Sequence, residues 1–168
     1  NQPLSGEGIQ NRVRALKAFF AWLHREGYTE VNRLAGLRNF KAPQKVVDVL
    51  SEEEIGQVLA AIDDKTSAGC RDFSIVVLML DSGLRLSEVI GLLDEDLDID
   101  AGNLKVMGKG SKERMVPFGT VTQKALWRYR HHYRLEPANP GVGTFFLTQE
   151  GQTMTESGTK SMFKRLAR

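Results

Sequence analysis

Apolar residues recur at Ile9, Val13, Leu16, Phe20 and Leu23, in alternating steps of four and three, with Arg14, Lys17 and Arg25 between them. This spacing lays an apolar stripe along one side of a helix and predicts a helix over 9–26, ended by Gly27. A second short helical segment is expected over 31–37, and the polar, proline-containing stretch 39–45 reads as a linker. Two helices in about forty residues bury too little to fold alone. Residues 1–45 are therefore expected either to pack on the remainder or to be the tail of a domain that begins further upstream.

Beyond the linker the pattern is mostly helical. Ser51 and Glu54 have the spacing of a capping box that opens a helix to about Ile62. The nearly unbroken apolar run 73–80 has no periodicity that separates a buried strand from a buried helix, and is read as a buried helix. A further turn or two is expected over 87–92, behind Gly83. From Asn103 the residues alternate, with Leu104 and Val106 before Gly108-Lys-Gly-Ser111 and a second arm through Pro117, which predicts a β-hairpin with a glycine-rich tip. Thr120 and Gln123 suggest another capping box and a helix to about Arg134, with Val121, Ala125, Tyr129 and Tyr133 on one side. A loop over 136–143, a short strand over 144–148 and a helix from Thr153–Glu156, still running at Arg168, complete the reading. The expected fold class is mainly α with a small antiparallel β-sheet (α+β).

Composition narrows the chemistry. The 168 residues are 41% hydrophobic and 26% charged, as in an ordinary globular protein. No stretch approaches the roughly 20 apolar residues that span a bilayer, so no membrane association is expected. The single cysteine, Cys70, excludes an intrachain disulfide and a cysteine-built zinc site, and points to a reducing, cytoplasmic setting. The chain opens on Asn1 rather than methionine and ends inside a helix with no stop signal, so it is expected to be a piece of something longer.

The net charge of +2 conceals a division: 1–45 carries +5, 46–102 carries −11 and 103–168 carries +8. Two basic blocks around an acidic one suit a polyanion held at both ends, although solvated helix faces give similar counts. Gly108-Lys-Gly is not a phosphate-binding P-loop, because Asn103 and Gly110 stand where that loop needs glycine and Ser or Thr. Asp94, Asp96, Asp98 and Asp100 lack the glycine and glutamate of a calcium loop and read as a solvated strand edge. His24, His131 and His132 have no partners at metal-ligand spacing, so no metal is expected.

Two segments remain: Asp81-Ser-Gly-Leu-Arg-Leu-Ser-Glu-Val-Ile-Gly-Leu92 and Val106-Met-Gly-Lys-Gly-Ser-Lys-Glu-Arg-Met-Val-Pro117. The first resembles the Thr-Gly-Leu-Arg-x-Ser-Glu-Leu signature of the tyrosine recombinases, the phage integrase and Xer-type site-specific DNA recombinases. The second resembles their Gly-Lys-Gly-x-Lys-x-Arg-x-Val-Pro hairpin, and Arg85 and Lys109 lie 24 residues apart in the right order. The resemblance covers essentially the whole chain. It implies that 1–45 is the helical end and linker of a core-binding domain and 46–168 the first part of a catalytic domain.

Such enzymes cut DNA with a tyrosine hydroxyl that leaves a 3′-phosphotyrosine, without metal or cofactor, so side chains must supply the positive charge. The resemblance assigns Arg85 to the transition state, where a guanidinium fork fits phosphate oxygens and stays charged. It assigns Lys109 to protonating the leaving 5′-oxygen. Glu88, one helical turn from Arg85, is placed to orient it, unless the two are a plain surface pair. Lys112, Arg114 and Lys105, with some of Arg12, Arg14 and Lys17, are expected to contact backbone phosphates of double-stranded DNA.

The family's His-x-x-Arg, second His or Trp and nucleophilic tyrosine are not found here. His131-His-Tyr-Arg134 has the letters but follows the hairpin too soon and lacks the flanking Leu and second His, and Tyr28, Tyr129 and Tyr133 read as structural. The expected function is therefore site-specific recombination by the parent protein, with this chain binding DNA but not cleaving it. A non-catalytic DNA-binding remnant is the alternative. The parent is expected to work as a tetramer on DNA and the chain alone to be monomeric.

Overall fold

Ser5 begins the first helix by accepting the Gly8 N–H (3.1 Å), and α1 runs over Gly6–Arg25 in the computed structural model. The structure describes residues 4–41, 48–108 and 112–167. They form two compact units, Asn1–Val49 and Leu50–Arg168. Most of the expected linker, from residue 42 on, lies outside the described residues.

In the first unit the apolar stripe of α1 is real but uncovered: no residue of the helix is buried, and Leu16 remains 51% exposed. Residues 31–37 form turns rather than the expected second helix. There the Asn32 side chain accepts the Leu34 N–H (3.0 Å), a local bond that competes with helical pairing. Lys17 crosses to these turns and donates Nζ–H to the Leu37 carbonyl (2.6 Å).

The second unit is organised around one buried helix. Ser51 and Glu54 form the expected reciprocal capping box, and α2 spans Glu52–Ala60. The 73–80 run falls inside α3, Ser67–Ser82, where Ile75 and Leu78 are fully buried. α4 follows over Leu86–Ile90, and Asp94–Asp96 forms a 3-10 turn rather than strand edge. The sheet then runs β1 (Leu97–Asp98), β2 (Asn103–Met107) and β3 (Glu113–Pro117), antiparallel in that order. The predicted hairpin thus carries one extra strand, and its tip, 109–111, lies outside the described residues.

α5 covers Thr120–Arg128 and passes into a single π-helical turn, Tyr129–Tyr133, before the chain turns away at Arg134. The capping box expected at Thr120 does not form. Gly119 is the N-cap, and Gln123 instead donates to the carbonyls of Ile99 and Asp100 (2.7 and 3.0 Å). The N-cap is held from a distance. Asp81, at the end of α3, accepts the Gly119 N–H (2.6 Å) and the Thr122 hydroxyl (2.7 Å). The buried side of α5 is Thr122, Ala125, Leu126 and then Tyr129, and Val121 points outward at 68% exposure.

Residues 144–148 make isolated bridges, Leu93 with Thr144 and Leu147 with Thr153, instead of the expected strand. Their side chains explain this, because Phe145 and Phe146 are both fully buried against Tyr129. α6, Glu156–Leu166, begins with Thr155 as its cap and closes on Ala167, whose N–H donates to Phe163 (3.1 Å). Among the described residues no helix is long and apolar enough to cross a membrane, and no cluster of His, Cys, Asp or Glu fits a metal ion.

Asp81→Ala is expected to lower stability by about 1–2 kcal/mol, the usual loss for a capping carboxylate. Urea unfolding checks this, and a midpoint unchanged from wild type would show that α5 needs no cap from α3.

Candidate functional site

α3 ends at Gly83, whose φ of 65° is the left-handed conformation that closes a helix, and its N–H returns to the Met79 carbonyl (3.0 Å). A side chain at this position would strain the backbone. The reversal drops Leu84 into the core at 4% exposure and leaves Arg85 in extended conformation as the N-cap of α4. The Gly-Leu-Arg order is therefore mechanical: glycine turns the chain, leucine anchors it and arginine is presented outward.

Arginine has no acceptor, so it cannot cap the helix with its own side chain. Glu88 supplies the returning half, with Oε2 accepting the Arg85 backbone N–H (2.9 Å) and Oε1 accepting from Arg85 Nη1 (3.2 Å). The Arg85 side chain is 73% exposed, whereas that of Glu88 is 10% exposed. A second guanidinium shares the carboxylate, since Arg114 donates Nη1 to Oε1 and Nη2 to Oε2, both at 3.1 Å. This fork holds the Glu88 carboxyl below its ordinary range, Arg114 contributing most and Arg85 helping against the opposing effect of burial.

The other residues expected at the site divide by face. Lys112 is exposed beside the hairpin tip, and its carbonyl accepts the Gly108 N–H (2.7 Å). Lys109 lies outside the described residues. Lys105 sits on the outer row of the sheet, paired with Asp96 (2.8 Å) and more distantly with Glu113 (3.8 Å). Its ammonium is held above the ordinary lysine range, mainly by Asp96, so a phosphate would compete with carboxylates there. In the first unit Arg12 and Arg14 are exposed, and Lys17 is engaged with Leu37.

The tyrosines of the second unit are structural. Tyr129 is 1% exposed, with its hydroxyl accepting the Leu147 N–H (3.2 Å), and burial raises its pKa. Tyr133 receives an Arg128 N–H at 3.4 Å. Arg134, the last residue of the His-x-x-Arg lookalike, is directed to the carbonyls of Phe145 and Thr144 (2.8 and 3.1 Å). Sequence reasoning did not find the Arg114–Glu88 pair or the Asp81 cap. The first had a signal, because the alternation of the hairpin puts Arg114 in the same row as Val106 and Val116.

Since the folded-state pKa of Glu88 is depressed, its ion pairs contribute stability above the unfolded value near 4.5 and lose it as pH falls through the folded one. Glu88→Gln is expected to destabilise by about 1 kcal/mol at neutral pH, as for partly exposed pairs. The difference from wild type should shrink as denaturation midpoints are taken from about pH 7 to about pH 3. A difference constant across that range would mean that the carboxylate charge is not what holds the pair.

Residues 48–168 match the family model described as the phage integrase family. The chain is 32% identical over 168 residues to the tyrosine recombinase XerC of Oceanobacillus iheyensis, covering 98% of this chain and 55% of the relative. It is 42% identical over 123 residues to XerC of Xylella fastidiosa, covering 73% of this chain and 42% of the relative. The chain thus spans about half the length of the curated relatives it matches. Among solved structures, the Tn1549 transposon integrase in complex with transposon right end DNA superposes with a TM-score of 0.76 at 25% identity, over 97% of this chain and 58% of that one. A lambda integrase dimer bound to a COC′ core site shares the fold with a TM-score of 0.74 at 18% identity, over 96% of this chain and 57% of that one. The chain belongs to the phage integrase family, the tyrosine recombinases.

Proposed function

We propose that this chain is the DNA-holding middle portion of a tyrosine site-specific recombinase, spanning the end of a core-binding domain and the first part of the catalytic domain. The observation that carries the reading is Arg85. Its backbone is fixed by a left-handed glycine and a buried leucine, its guanidinium is held at one nitrogen by Glu88, and most of the side chain faces solvent. A positively charged fork fixed in this way can donate to two phosphate oxygens and stabilise the charge that builds when a hydroxyl attacks phosphorus. The named relatives are recombinases, the Tn1549 integrase is in complex with transposon right end DNA, and the lambda integrase dimer is bound to a COC′ core site.

Lys109, on the hairpin tip, is the general acid for the leaving 5′-oxygen, because an ammonium can release a proton where a guanidinium cannot. Lys112, Arg12 and Arg14 contact backbone phosphates and set the register of the duplex without reading its sequence. Lys17 and Lys105 join them only by giving up their present partners. The parent protein assembles as a tetramer on paired sites in the cytoplasm, and the chain by itself is a monomer. Neither metal nor cofactor takes part in the proposed cleavage.

The chain is expected to bind duplex DNA with little sequence preference at about 50 mM salt, log affinity falling by about 0.9 per neutralised phosphate for each unit of log salt concentration. Four contacts would give a slope of about −4 in a fluorescence-anisotropy titration, and Arg85→Ala should flatten it by about one contact. A chain that binds no duplex even at low salt would remove the DNA-holding role.

With Tyr129 buried, Tyr133 engaged by Arg128 and the exposed Tyr28 in the other compact unit from Arg85, no covalent adduct should form between this chain and a nicked suicide duplex. A shifted band surviving denaturation would overturn that expectation and assign a nucleophile within these residues.

A further inference from the structure

β2 and β3 pair Val106 with Arg114 and Lys105 with Met115. Cross-strand partners project to the same face of a sheet. Val106 is buried at 6% exposure, so Arg114 belongs to the inner row, towards α4, while Lys105 belongs to the outer row beside Asp96. The Arg114 side chain stays 41% exposed, and both of its terminal nitrogens meet the Glu88 carboxylate. The hairpin makes room for this contact. A Cβ added at Gly108 would lie 3.3 Å from Arg114 Nη1 and 3.2 Å from the Lys112 carbonyl.

Without Arg114, the largely exposed Arg85 side chain, at the N-cap of a five-residue helix, would meet Glu88 three residues on through a single guanidinium nitrogen. Such pairs are weak, worth a few tenths of a kcal/mol, and leave long side chains several rotamers. A second fork arriving from the sheet fixes the carboxylate from the opposite side. The position of Arg85 is then set by the strand as well as by its own helical turn.

We infer that Arg114 is a positioning residue that acts on Arg85 through Glu88, and that it is not itself a phosphate contact. The inference rests on the reading of Arg85 as the phosphate-binding arginine. It also gives the hairpin a second task, since the same two strands that carry the tip at 109–111 hold the carboxylate that steadies Arg85.

Arg114→Lys tests this, because it keeps the charge but cannot reproduce the fork. Duplex affinity is measured for the wild-type chain, Arg114→Lys, Arg85→Ala and the double variant, and the Arg85 side-chain N–H signals are followed by NMR. If Arg114 acts through Arg85, Arg114→Lys should weaken binding by about threefold to tenfold in the wild-type background and have no effect once Arg85 is alanine. The Arg85 Nε–H signal should shift as well, while backbone amides far from the site stay in place. Equal losses in both backgrounds would make Arg114 a phosphate contact in its own right and overturn the inference. So would an unshifted Arg85 signal. A wild-type chain that binds no duplex would instead remove the reading of Arg85, and the NMR comparison would still decide whether Arg114 positions it.

Discussion

Burial of α3 is the constraint on which the second unit depends. A sixteen-residue helix with Ile75 and Leu78 wholly inside leaves no water for the polar groups on its buried stretch, and each of those must find a partner in the protein. The Ser74 hydroxyl lies 2.8 Å from the Cys70 carbonyl and 3.1 Å from that of Ala125, tying α3 to α5. Arg71 and Asp72, both mostly buried, pair with each other, and Arg71 reaches the Leu147 carbonyl (2.9 Å). Burial raises the pKa of Asp72, and the Arg71 charge counters it. At the far end Asp81 holds the N-cap of α5 and Gly83 closes the helix, so the turn that presents Arg85 continues directly from the buried helix.

The sheet then separates two kinds of electrostatics. On its inner row, one carboxylate joins two guanidiniums, and the cluster of Arg85, Glu88 and Arg114 retains a net positive charge beside the hairpin. On the outer row, Lys105 lies among Asp96 and Glu113, next to a loop rich in aspartate. The local charge therefore favours an anion beside the cluster at the hairpin and disfavours one beside the acidic loop. The division of charge along the chain is thus partly a division between faces, with the acidic block providing both the Glu88 anchor and the aspartates of the outer loop.

Much of this was legible in the residues. Reciprocal capping at Ser51 and Glu54, the glycine turn ahead of Arg85 and the paired strands around Gly108 are local devices, decided by atoms a few positions apart, and they stand where the spacing put them. Failures came where distant groups competed. The Thr120 box lost to Asp81, which lies 39 residues earlier, and Gln123 was drawn to the carbonyls of Ile99 and Asp100. A short strand was expected over 144–148, but Phe145 and Phe146 both turn into the core around Tyr129 and leave only isolated bridges. The stripe on α1 was read correctly as a pattern, although in its own compact unit no described neighbour buries it.

The sequence by itself determined most of the helices, the hairpin, the order of the two signature segments and the residue types that phosphate chemistry requires, because helix periodicity, glycine turns and charge are properties of neighbouring positions. Only the tertiary structure decided which of the basic residues are already engaged. Arg85 and Arg114 converge on Glu88 across 26 residues of chain, while Lys105 and Lys17 are occupied by Asp96 and by the Leu37 carbonyl. That outcome depends on which row of a sheet a side chain occupies and which carboxylate the fold brings opposite it, and a linear spacing does not contain either distance.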